Sequence, residues 1–154
     1  MDTLHTNLEI ERIVNGFHDH SLRKREWTHQ AHLLTGLHTL FNNDLDSSIK
    51  IMRQGIKTYN VAIGGQNTDT GGYHDTITVF FLHALTAFIE QSGPYLSLLD
   101  LVNRLQETIL VERPFMFQFY SRALLFSVEA RRGWVEPDLR PLSHLHTIDF
   151  RPSK

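Results

Sequence analysis

Trp27-Thr28-His29-Gln30-Ala31-His32-Leu33-Leu34-Thr35-Gly36-Leu37-His38-Thr39-Leu40-Phe41-Asn42 reads as one capped amphipathic helix. Thr28 stands where an N-cap hydroxyl accepts from a backbone N–H of the first turn, with Trp27 packing just outside. Leu33, Leu34, Leu37, Leu40 and Phe41 project as a single apolar stripe. His29 lies at its edge. His32 shares the neighbouring face with Thr28, Thr35, Gly36 and Thr39, a face that is small and polar rather than charged. That composition suits the wall of a pocket. At about 100° per residue, the two histidines fall roughly 60° apart on one side of the helix, one turn along.

The same period recurs on either side. Leu8 to His18 carries Leu8, Ile10, Ile13, Val14 and Phe17 at helical spacing, and Leu45 to Tyr59 carries Ile49, Met52, Ile56 and Tyr59, with Ile51 beside them. Lys50, Arg53 and Lys57 make a basic strip on that third helix, read as solvated. Tyr73 to Gln91 is the most apolar segment and is expected to be the central helix, with Ile77, Phe80, Phe81, Ala84, Leu85 and Phe88 inward. The wheel turns His74 inward with Phe81 and Leu85. His83 falls with Asp75, Thr76, Thr86 and Glu90 on the polar side and is read as solvated. Ser92-Gly93-Pro94 stops this helix, and Tyr95 to Val111 predicts another. Pro114 then opens an aromatic helix through Phe115, Phe117 and Tyr120 towards Phe126. Ser127 caps a short last helix ending at Gly133. Pro137, Pro141 and Pro152 exclude a long helix beyond Trp134, so residues 135–154 are expected to wrap the bundle in extended form. No strand-period alternation or repeat occurs. The chain reads as one all-α domain over residues 1–154, a compact bundle of about five to seven helices.

Composition narrows the function. The 154 residues are 41% hydrophobic and 21% charged, enough for a single core. A net charge of −2 and a pI near 6.5 give no electrostatic footprint for nucleic acid or a membrane surface. Cysteine is absent, which removes disulfides, thiolate catalysis and zinc fingers. No apolar run approaches about 18 residues and the first residues do not resemble a signal peptide, so the expected address is cytoplasmic. Oligomeric state stays open, a homodimer among the options.

Two imidazoles on one helical turn can share a divalent ion if a third ligand arrives from elsewhere, and inward His74 is the best candidate. His29, His32 and His74 would then form a three-histidine site, with zinc, iron, nickel and copper equally suited. Positions left open on the ion would activate water or a small polar substrate for hydrolysis, elimination or oxidation. Asp75 and Glu129 could orient a ligand histidine or act as base, and Tyr73 and Tyr120 could donate to substrate. Thr35 would line the pocket, and Arg122 and Arg131 could hold a carboxylate or phosphate. Each of these has a plain structural alternative in capping or ion pairing. The Gly64–Gly72 run leads straight into His74 and reads as either a lid or a fixed wall.

Trp27-Thr28-His29-Gln30-Ala31-His32-Leu33, Thr70-Gly71-Gly72-Tyr73-His74-Asp75-Thr76-Ile77-Thr78 and the closing Tyr120–Leu139 pattern resemble a small bacterial all-helical family, a resemblance that carries no activity with it. The architecture is also loosely similar to the DinB-like metal-binding bundles, which include thiol S-transferases and hydrolases. Those pair one histidine with HxxxH; this chain pairs one with HxxH. Two readings follow. One is a small metalloenzyme. The other is a non-catalytic small-molecule or partner-binding bundle whose histidines are hydrogen-bonded core groups.

Overall fold

In a computed structural model, residues 5–151 are described and fold as an all-α bundle. Pro152 and the first four residues lie outside the described residues. The helices are α1 (Asn7–His18), α2 (His29–Asn42), α3 (Leu45–Ala62), α4 (Asp75–Ser92), α5 (Leu98–Leu105), α6 (Arg122–Leu125) and α7 (Val128–Arg132). Short polar side chains set their starts. Thr6, Thr28, Asp44, Ser97, Ser121 and Ser127 each accept from a backbone N–H inside the first turn of the helix that follows. Ser97 and Asp100 complete a reciprocal capping box.

Helix α4 is central, packed against α2, α3 and α7. Its Phe80, Phe81, Leu82, Ala84, Leu85 and Phe88 are all buried. Each large apolar side chain so placed contributes about 1.5–3 kcal/mol of burial free energy. Helices α1 and α3 approach closely because Gly55 has no side chain: a Cβ there would lie 2.8 Å from the Phe17 ring. Among the described residues no helix is long and apolar enough to cross a membrane.

Four expectations need correction. The helix expected over Tyr95–Val111 is α-helical only from Leu98 to Leu105. Thr108 donates its hydroxyl to the Leu105 carbonyl and accepts from the Leu110 N–H, which starts a separate 3-10 turn at Ile109–Val111. The aromatic segment after Pro114 is a 3-10 stretch, Arg113–Gln118, rather than an α-helix. It cannot propagate because the tail takes its backbone: the Asp138 carboxylate accepts from the Ser121 N–H at 2.8 Å, and Leu139 N–H donates to Phe119 O at 2.9 Å. The tail itself is not wholly extended, since Leu142–Thr147 form a 3-10 turn that buries Leu145. The outer faces also shift. Phe41 and Leu8 are exposed, so the buried stripe of α2 ends before Phe41 and that of α1 starts only at Ile10, while His83 is half-buried under Trp134, 5.7 Å between ring centres.

The tail is laced to the bundle. Thr76 Oγ1 donates to Gly133 O and accepts from Val135 N–H, and Tyr120 donates to Val135 O at 2.6 Å. Gln91 holds the far end, donating to Ile148 O and accepting from Phe150 N–H.

Candidate functional site

A cavity of about 680 Å³ opens between α2, α3, α4 and the loop joining α3 to α4. That volume falls in the usual range for small-molecule sites, about 300–1,000 Å³. Helix α2 contributes His29, His32, Leu33 and Gly36; α3 contributes Met52, Ile56 and Asn60; α4 contributes Ile77, Phe81, Leu82 and Leu85. Trp27, Tyr73, His74, Lys24, Arg113, Phe126 and Arg131 complete much of the rest. Of the α2 face read as a pocket wall, Thr28, His32 and Gly36 line the cavity, while Thr35 and Thr39 are buried away from it.

The glycine-rich run forms wall, held by its own hydrogen bonds. The Gly64 and Gly65 N–H groups donate to Val61 and Asn60 carbonyls. Asn67 ties three segments, accepting from the Tyr73 N–H and the Asn60 amide and donating to Lys57 O. Gly72 has φ +79°, and a Cβ there would collide with the Gln66 carbonyl oxygen, so this corner is closed to other residues. Arg132 grips Asp69 with two nitrogens at 2.8 and 2.7 Å.

The three histidines line the same cavity but are hydrogen-bonded differently. His29 donates from Nε2 to Leu110 O at 3.0 Å, which fixes the tautomer and leaves Nδ1 with its lone pair. His32 donates from Nδ1 to Thr28 O at 2.7 Å and leaves Nε2 bare, its ring stacked on Trp27 at 3.8 Å. His74 has nothing to spare. Its Nδ1 accepts from the Ile77 N–H as the N-cap of α4, and its Nε2 donates to Leu125 O at 2.6 Å.

All three imidazoles are held towards the neutral form. Burial is the main cause for each, partly offset by the carbonyl that each ring bonds. For His32 the value falls to about 4. Arg113 adds a further lowering at His29 and His32, and Arg131 at His74, while Glu112 opposes it at His29.

A ligand imidazole needs a free lone pair, and both His74 nitrogens are engaged by backbone. Among the described residues, no group of three or more histidine, aspartate or glutamate side chains could hold a metal ion. As arranged, these residues do not fit the ion.

The remaining candidates divide. Asp75 is buried, bound by Arg53 at 2.7 and 3.1 Å and by the Tyr73 hydroxyl at 2.6 Å, so it clamps α3 to α4 rather than waiting as a base. Arg53 therefore leaves the strip read as solvated. Tyr73 offers its ring to the cavity and its hydroxyl to Asp75; burial and that carboxylate push its ionisation up. Arg131 lines the cavity, with Nη1 donating to Gly72 O and Tyr73 O. Thr35 is fully buried and does not line the cavity, and Tyr120 serves the tail. Arg122 lies over Phe117 at 4.3 Å, and Glu129 is exposed in the first turn of α7. Neither lines the cavity. Sequence reasoning missed Arg113, Phe126 and Trp27 as lining. Trp27 carried a signal, its adjacency to the HxxH turn; Arg113 and Phe126 arrive by tertiary folding alone. Compared with protein-family models, with characterised proteins and with solved structures, the chain matches none.

Proposed function

We propose that this chain is a small-molecule-binding helical bundle, with the α2–α3–α4 cavity as its site. The observation that carries the reading is the cavity's make-up: apolar walls from Met52, Ile56, Phe81, Leu82 and Leu85, with a few polar groups converging on them. His29 Nδ1 and His32 Nε2 supply hydrogen-bond acceptors of fixed tautomer, each held by a backbone carbonyl. His74 and Asp75 support the frame around them.

Binding is favoured over acid–base catalysis by magnitude. A general base works best with a pKa near the operating pH, and His32 lies well below neutrality, at about 4. At neutral pH it accepts a hydrogen bond far more readily than it takes a proton.

Isothermal calorimetry with naphthalene-2-carboxamide and naphthalene-2-carboxylate tests the site. At least one should bind with a stoichiometry near one, and Ile77→Trp, which replaces a branched aliphatic side chain with a bulky indole at a half-buried lining position on α4, should abolish it while circular dichroism stays helical. Failure of both probes, or binding that survives Ile77→Trp, would overturn the reading.

A further inference from the structure

The charge around this cavity is one-sided. Lys24, Arg113 and Arg131 line it, and among the described lining residues none is acidic, although the chain carries a net charge of −2. Of the carboxylates nearby, Asp75 is engaged by Arg53 and Tyr73, Asp69 by Arg132 and Glu26 by Arg12, while Glu112, next to Arg113 in the chain and close enough to act on His29, is exposed and lies outside the lining. Arg113 is exposed at the rim beside His29 and His32 and makes no hydrogen bond or ion pair within the protein among the described residues. Arg131 uses only Nη1 on backbone carbonyls, which leaves Nε and Nη2 as donors. A guanidinium with two adjacent free N–H groups matches a carboxylate or phosphate oxygen pair.

We infer that the ligand is a small organic anion, an apolar body bearing a carboxylate or phosphate monoester, with its charged head on Arg113 and Arg131 and its body against Phe81, Leu82 and Leu85. This rests on the pocket reading above and names the class of molecule that pocket takes. A cationic ligand would meet three basic side chains and no acidic one in the lining. An inorganic anion would leave the apolar wall unused, and that wall makes up much of the cavity. A hydroxyl or amide donor on the ligand would complete the match at His32 Nε2, which has no protein partner among the described residues.

The test compares naphthalene-2-carboxylate, 2-naphthyl phosphate, naphthalene-2-carboxamide and inorganic phosphate by calorimetry at low salt. One of the two aryl anions should bind at least about tenfold tighter than the amide, the size of one charge-assisted hydrogen bond. Arg113→Gln should remove most of that advantage and leave amide affinity alone. Its fold should survive, since the side chain has no protein partner, and a thermal melt checks this. Arg131→Lys, which keeps charge and loses the fork, should weaken the anions by a smaller factor. Equal affinity for amide and anions would overturn the anion assignment while leaving the pocket reading intact. So would anion binding indifferent to Arg113→Gln, or inorganic phosphate binding as tightly as its naphthyl ester. If no aryl probe binds, or if binding persists in Ile77→Trp, the pocket reading falls and takes this inference with it.

Discussion

His32 and His74 line the same cavity, yet the backbone engages one ring nitrogen of the first and both of the second. His74 closes two backbone valences at once, the first turn of α4 and the Leu125 carbonyl, and its neighbour Asp75 gathers Arg53 and Tyr73. His32 is anchored at one nitrogen only, which orients the ring and leaves the other side bare. The difference teaches that an inward histidine declares its role by how many of its nitrogens the backbone has taken.

The largest expected effect breaks the fastening side. Asp75→Ala strands a guanidinium and a buried phenol hydroxyl, and urea unfolding should show a loss of about 2–4 kcal/mol, moderated because Arg53 is partly solvated. His74→Ala should cost about 2–3 kcal/mol by the same measurement, one cap plus one buried carbonyl left unpaired. His74→Asn should recover about 1 kcal/mol by restoring the cap.

Next comes pH. His32 titrates near 6.5 when unfolded and near 4 when folded. Within that window the unfolded chain binds more protons, so its contribution to stability is complete above 6.5 and declines as pH falls towards 4. Denaturation midpoints at pH 7 and 5 should therefore differ, and the difference should shrink in His32→Ala. That contrast sharpens the comparison, because His74 should show the same sign with a cap lost as well. The smallest structural effect belongs to Arg113→Gln, whose unfolding midpoint should match the parent within about 0.5 kcal/mol.

Local chemistry was readable where it was local. Thr28 before the HxxH turn, Ser127 before the last helix and the wall-like face of α2 depend on residues within one turn of each other. The aromatic stretch was not, because what ends it is Asp138, seventeen residues beyond the N–H it captures. The Arg53–Asp75 clamp spans two helices, so each partner read alone looked like something else: a solvated cation, and a candidate base. Thr35 shares a helical face with His32 in projection, but the cavity takes Leu33 and Gly36 from that turn and leaves Thr35 inside the packing.

Phe150 gives the lacing of the tail a temporal meaning. Its ring, 3% exposed, rests 6.4 Å from Phe88 and 6.2 Å from Phe115. During synthesis the central helix emerges with one flank open, and that flank stays open until the residues around Phe150 have left the ribosome. A nascent chain halted before them would display Phe88 and Phe115 to the solvent, the kind of exposed apolar surface that chaperones and aggregation partners find first. Between the emergence of α4 and that of Phe150, the chain therefore carries an apolar flank that only its last segment covers.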